Sequence, residues 1–319
     1  MDTQYVQDNL EPIWSDVAPI ERPVVAHYTT IQNFENILRD GEIWFSNPLL
    51  MNDYEEVRFG IANFLQSLEH SSDLLAALKS KERIELFNEG IRNVFRDFDY
   101  RILFDVYAFC LSEHDLLDND GRLSMWRAYA GGGSGVALIF DTSKLPPPTQ
   151  NPFIFAPVIY ATRAQRADWI WAKIKQFSSL VASADFKNEQ LQHVAWYLFE
   201  RIKVFSLFSK HDGFNEEREW RIVYLPDRDQ GSRYKQYFKH SLSQNTAVPK
   251  MKLPMFESIA SGSDNSQNFT ISEILNKVII GPTNASALSL NSVKRMCNHY
   301  RPGNLADKVF QSTIPYRPS

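Results

Sequence analysis

Apolar residues recur along the chain at two spacings, and each spacing predicts a different element. Val24-Val25-Ala26-His27-Tyr28 is a short, mostly apolar run and predicts a strand. Thr29 follows it, with Gln32 three residues on. That is a capping box opening a helix whose apolar face is Phe34, Ile37 and Leu38 and whose end is marked by Gly41. Ile43-Trp44-Phe45 predicts a second short strand, stopped by Asn47-Pro48. Asp53 and Glu56 repeat the cap pattern ahead of Val57, Ile61, Phe64, Leu65 and Leu68. A further helical region covers about 73–98, with Ile84, Phe87, Ile91, Val94 and Phe98 three or four apart. Ile102 to Leu111 reads as a buried strand.

The second half mixes the two periods without a βαβ repeat. Ser124 to Tyr129 predicts one or two helical turns, Gly131 to Gly135 a flexible turn, and Val136 to Phe140 a strand. Phe153 to Tyr160 predicts another strand, and 162–182 and 187–209 two helices. Ile222 to Tyr224 and Tyr234 to Phe238 are expected as paired strands. Residues 241–270, rich in Ser, Asn and Gln, are expected as a loop or a weakly structured edge. Val278-Ile279-Ile280 before Gly281-Pro282 predicts a strand and a turn, and 288–300 a closing helix. This order predicts an α+β body: a split, mixed or antiparallel sheet with inserted helices. The expected organisation is an N-terminal strap over 1–22, one α+β domain over 23–300 with a helical insertion at about 54–98, and a tail over 301–319.

Composition narrows the classes. The 319 residues are 44% apolar and 23% charged, ordinary for a globular chain, with aromatics at 13%. A net charge of -4 advertises no broad phosphate-backbone footprint. No run of 18 apolar residues predicts a membrane span, and Met1-Asp2-Thr3-Gln4 does not open a signal peptide. Cys110 and Cys297 are expected as free thiols in a reducing cytoplasm. No CxxC, HExxH or EF-hand spacing predicts a metal site.

The densest chemistry is Glu216-Glu217-Arg218-Glu219-Trp220-Arg221, running into Ile222-Val223-Tyr224. On a strand, Glu217 and Glu219 would share a face roughly 7 Å apart and repel unless a cation or substrate bridges them. Such a pair suits glycosyl transfer, one carboxylate steadying a sugar cation and the other orienting the acceptor. The pair alone is a weak signal, and it reads first as an ion-paired strand edge. His27, Tyr28 and Thr29 precede a helix N-terminus, where an anion or ribose hydroxyl can be held, and they also read as a half-buried strand end. Trp126 and Tyr129, three apart, can stack a flat ring or simply fill a core. Asn52-Asp53 with Glu55-Glu56 is a capping cluster first.

Taken in order, His27-Tyr28-Thr29, Trp44-Phe45-Ser46, Asn52-Asp53-x-Glu55, Ser124-Met125-Trp126-x-x-Tyr129, the Gly135 to Phe140 strand and Glu217-Arg218-Glu219-Trp220-Arg221 resemble a widespread bacterial domain family of unknown function. More distantly, the early histidine, central aromatics and late glutamate resemble the ADP-ribosyltransferase superfamily. That resemblance implies NAD as the dinucleotide ligand, with His27 gripping its ribose, Tyr28 and Thr29 beside it in the cofactor site, and Trp126 and Tyr129 stacking nicotinamide. It implies Glu219 as catalytic glutamate, Glu217 as the acceptor-orienting one, and a protein or nucleic-acid acceptor, in a toxin or phage-defence setting. Two rival readings stand beside it. One is a non-catalytic binding or regulatory module. The other is a metal-dependent nuclease or phosphodiesterase built on Asp53, Glu55 and Glu56.

Overall fold

The computed structural model describes residues 3–17, 21–51, 54–145, 152–243, 246–259, 269–284 and 286–316. In chain order the helices and strands are α1 (Thr3–Leu10), β1 (Val24–Thr29), α2 (Ile31–Asp40), β2 (Glu42–Ser46), α3 (Tyr54–Glu69), α4 (Ser72–Leu78), α5 (Lys81–Asp97), β3 (Tyr107–Glu113) and α6 (Leu123–Tyr129). There follow β4 (Val136–Asp141), β5 (Phe153–Pro157), β6 (Ile159–Tyr160), α7 (Arg163–Ser183), α8 (Leu191–Leu207), β7 (Ser209–Lys210) and β8 (Glu219–Tyr224). The last are β9 (Phe238–Ser243), β10 (Thr246–Pro254), β11 (Leu275–Ile280), α9 (Ala287–Tyr300) and β12 (Val309–Gln311). The class is α+β, with a large, mostly antiparallel sheet and inserted helices.

The chain forms two compact units. The first comprises Met1–Ile20, Asn47–Val106 and Val158–Asn215 and is helical apart from the parallel pair β6–β7. Its long helix α8 buries Glu200, Arg201 and Lys203 as well as its apolar face. Burial of such groups is tolerated when they are paired. Lys203 is bonded to Glu200, and Arg201 meets Asp16 at 3.0 Å between the rings of Trp14 and Trp169. The N-terminal segment expected as an irregular strap is thus α1 and a 3-10 turn tied into this unit by Asp16.

The second unit, Glu21–Ser46, Tyr107–Pro157 and Glu216–Ser319, carries the sheet. Among the described residues ten strands run β12-β11-β4-β1-β3-β2-β10-β9, with β8 and then β5 on the other edge of β3. Strand β3 is where the sheet forks. One edge of β3 pairs with β8 from Tyr107 to Ser112. The opposite edge is shared: β1 takes Ser112 and Glu113, β2 takes Ala108. Alternation along the strands assigns two faces. Val25, Phe109, Leu111, Leu138, Trp220 and Val278 form a core with α2 and α9 on one face. Ala26, Tyr28, Ala137, Ile139 and Ile279 pack on α6 through Met125, Trp126 and Ala130 on the other.

Several sequence expectations are corrected. The α2 cap is Thr30, whose hydroxyl accepts from the N–H of Asn33, while Thr29 takes the Asn33 side-chain amide. The strand expected from Ile102 starts at Tyr107. Residues 98–105 continue in helical turns, because the Asn47 amide donates to the carbonyls of Leu103, Phe104 and Val106 and replaces a sheet partner. Phe153 to Tyr160 divides at Val158 into two strands of different sheets. Tyr234 to Tyr237 is not a strand paired with β8. Asp229 accepts from the N–H groups of Arg233 and Tyr234 and winds this segment into 3-10 turns, so β9 starts at Phe238 and pairs with β10. The segment 241–270, expected as a loop or a weakly structured edge, holds the end of the edge strand β9 and the whole of β10, and the expected tail contains β12, parallel to β11.

Candidate functional site

The fork in the sheet leaves a ladder open between two neighbouring strands, β1 and β3. His114 N–H donates to the carbonyl of Val24, and Ala26 is paired with Ser112. In an antiparallel ladder every second residue turns its peptide toward the same neighbour. Tyr28 is therefore the next residue of β1 whose N–H and C=O face β3, and its partner would be Cys110. No β3 residue is in register with it. The Cys110 carbonyl instead accepts from Nδ1 of His27 at 3.0 Å.

That bond fixes the His27 tautomer. A carbonyl oxygen only accepts, so Nδ1 carries the proton and Nε2 of the neutral ring keeps a lone pair. The ring stacks on Phe109 with centroids 4.4 Å apart. Burial lowers the His27 pKa, opposed by the bond to Cys110, so the ring is neutral at neutral pH. Tyr28 has its ring edge-on to Trp126 at 4.9 Å, and its hydroxyl accepts from the N–H of Arg122 at 2.8 Å. Burial pushes the phenol up to about 12, against the Arg122 N–H.

The acidic pair is arranged differently from a strand E-x-E. Glu217 ends a 3-10 stretch and β8 begins at Glu219. Arg218 between them has φ 41, a left-handed conformation that costs a residue with a side chain about 1–3 kcal/mol. Its carbonyl is held by Glu113 N–H at 2.9 Å, and the Glu217 carbonyl by the Ser112 hydroxyl at 2.6 Å. The turn gives each carboxylate its own partner. Glu217 accepts from the half-exposed Tyr129 hydroxyl at 2.8 Å. Glu219 is buried and receives Nε and Nη2 of Arg221 at 2.6 and 3.0 Å. A surface ion pair contributes about 0–1 kcal/mol, but breaking a buried one costs about 3–5 kcal/mol. This pair belongs to the second regime.

The expected residues therefore divide. Register places Tyr28 on the same face as Glu219, with Cys110, Ser112 and Arg221 between and beside them. Tyr129 reaches Glu217. His27 and Thr29 project from the opposite face of β1, so they do not share a face with Glu219. Trp126 is fully buried beneath Tyr28, its indole N–H given to the Asp120 carbonyl, and cannot stack a ligand while that core is intact. Asn52 and Asp53 lie outside the described residues, as do the side chains of Glu55 and Glu56. Among the described residues no cluster of His, Cys, Asp and Glu is placed to hold a metal ion.

Sequence reasoning misses several contributors. Ser112 and Cys110 sit in an apolar run, and only a period-two count along β3 puts them on the Glu219 face. Arg221 is visible two residues from Glu219. Lys250 and Lys252 alternate with Met251 and Leu253, the signature of a half-buried strand, inside the segment expected as a loop or a weakly structured edge.

A family model described as "Protein of unknown function (DUF2971)" matches residues 125–222. The matched stretch holds Trp126, Tyr129, Glu217, Glu219 and Arg221 but stops short of His27, Tyr28 and Thr29. Neither curated proteins nor solved structures give a match. No described helix is long and apolar enough to cross a membrane.

Proposed function

We propose that the fork binds the nicotinamide end of NAD and that the chain transfers its ADP-ribosyl group to an acceptor or to water. One observation carries the reading: β1 turns the Tyr28 peptide toward an edge where β3 has no residue in register, on the face that holds Glu219. A carboxamide offers an N–H and a C=O side by side, which is what a strand edge binds. Tyr28 and Glu219 stand two strands and two residues apart, roughly 12 Å, a span suited to a nicotinamide ring and its ribose. The ADP-ribosyltransferase-like arrangement of a split sheet with a late glutamate at a strand mouth belongs to the same proposal.

In this reading the bond between nicotinamide and ribose breaks with its electron pair staying on nicotinamide. Glu219, paired with Arg221 in a buried setting, faces the positive charge left on the ribose. The acceptor forms the new bond to that carbon, and its proton passes to Glu217, which Tyr129 orients. His27 offers the lone pair of Nε2 to a hydroxyl donor from the other side of the fork.

Nicotinamide release from NAD by the purified protein tests this. Glu219→Gln keeps the shape and is expected to lower release at least about 100-fold, the usual scale for one electrostatic contributor. Because this change also removes the carboxylate that receives Arg221, a Glu219→Gln/Arg221→Met variant accompanies it. Stability should recover there while release stays lost. Undiminished release by a folded variant would reduce Glu219 to a structural role. The separation of His27 from Glu219 favours a second reading, a non-catalytic binding module. NAD binding without any release would select it.

A further inference from the structure

The arm of the fork formed by β2, β10 and β9 carries a charge pattern that the proposed chemistry does not use. Register pairs Lys250 with Ser46 and Lys252 with Trp44. All four side chains lie on the face that also bears Cys110 and Arg221, since Ser46 is itself paired with Ala108. Lys250 Nζ donates to the Ser46 hydroxyl at 2.7 Å. Lys252 Nζ stands 4.0 Å from the centre of the Trp44 ring. Glu42, on the same face, is taken by Lys239. Among the described residues neither Lys250 nor Lys252 has a carboxylate partner. The Trp44 indole N–H is buried without an acceptor.

This patch has an excess of donors. Lys250 has one hydroxyl oxygen, Lys252 has the face of a ring, and the Trp44 indole N–H has no acceptor. Like charges two positions apart on one strand repel, and half-burial adds a desolvation cost to each. Both effects lower the Lys250 pKa, burial first and the Lys252 charge second. A sheet face arranged only for stability would relieve this with a glutamate or a threonine. An anion relieves it as well, and does so only when bound.

We infer that Lys250 and Lys252, with Ser46 and Trp44 beside them, form a subsite for the phosphate groups of a nucleotide ligand. The inference rests on the reading of the fork as a dinucleotide site and extends it. The amide edge of Tyr28 takes the nicotinamide end, and the β2–β10 arm takes the phosphates. A Lys pair acts here as point charges that tolerate several phosphate orientations.

Calorimetric titration with inorganic pyrophosphate, NAD and nicotinamide, on the wild type and on Lys250→Gln/Lys252→Gln, tests it. The wild type should bind pyrophosphate with an affinity that falls as salt rises. The double variant, checked for folding by thermal melting, should lose at least about tenfold in affinity for pyrophosphate and for NAD, and nothing for nicotinamide. Lys81→Gln, which removes an exposed cation of α5 in the helical unit, should leave both affinities unchanged. Equal losses from Lys81→Gln would mean diffuse charge and overturn the subsite. NAD affinity unchanged in the double variant would overturn the subsite and leave the dinucleotide reading intact. Lysine-dependent pyrophosphate binding by a protein that ignores NAD would do the reverse. No binding of either would overturn both.

Discussion

At the scale of single residues, backbone proximity explains positions that composition leaves neutral. Gly135 is legible in the sequence only as part of a turn. In the structure a Cβ there would lie 2.1 Å from the Thr29 carbonyl oxygen, a backbone atom that cannot swing aside. Gly135→Ala is therefore expected to cost about 1–3 kcal/mol or more, read as a lower melting temperature, and an unchanged melt would contradict the close approach. His27 carries a pH signature. Its folded pKa lies below the ordinary 6.5, so the unfolded chain binds a proton first as pH falls. Its contribution is complete above about pH 6.5 and lost as pH drops through the lower folded value. Between pH 7.5 and 5 the wild type should lose more stability than His27→Asn; parallel curves would show that the ring is not buried neutral. The sequence points to His27, Tyr28, Tyr129 and Glu219 but not to their directions. Side-chain direction follows register, and register depends on partners far along the chain.

At the scale of elements, the strong amphipathic patterns are readable and the short polar devices are not. Helices α2, α7 and α8 and strands β1, β4 and β11 fall where their periodicity puts them. The errors cluster where one side chain replaces a ladder partner, as Asn47 does at 103–106 and Asp229 at 233–234. The loop after β3 is a further example. Lys277 of β11 donates to the carbonyls of Leu116 and Asp118 at 2.8 Å and to Asn119 Oδ1 at 2.6 Å. This loop in turn supplies the Asp120 carbonyl to Trp126 and the Asp120 carboxylate to Thr313. Lys277→Met leaves these acceptors without their donor, at about 1–3 kcal/mol. Amide hydrogen exchange at Asp120 and Gly121 is expected to accelerate in that variant. Unchanged exchange would mean that the loop holds itself.

At the scale of the molecule, α+β class and a split sheet follow from the order of elements, whereas the fork itself does not. It arises because β1 and β2 both lie along one edge of β3 and neither occupies the middle of it. Nothing local in the three strands announces that competition. The consequence is a strand edge kept open inside a sheet. An open edge is ordinarily a liability that proteins cover or charge. Here Cys110 has its carbonyl capped by a histidine, and the Tyr28 peptide faces an edge where no β3 residue stands in register.

Amide exchange followed by NMR on nitrogen-15-labelled protein reads that peptide directly. In the free protein the Tyr28 amide should exchange with solvent faster than those of its β1 neighbours Val25 and His27, which face β4. Adding NAD, or nicotinamide alone, should shift its resonance and slow its exchange. A Tyr28 amide already protected in the free protein and unmoved by either compound would mean that the ladder is closed, and the fork would not be a ligand site.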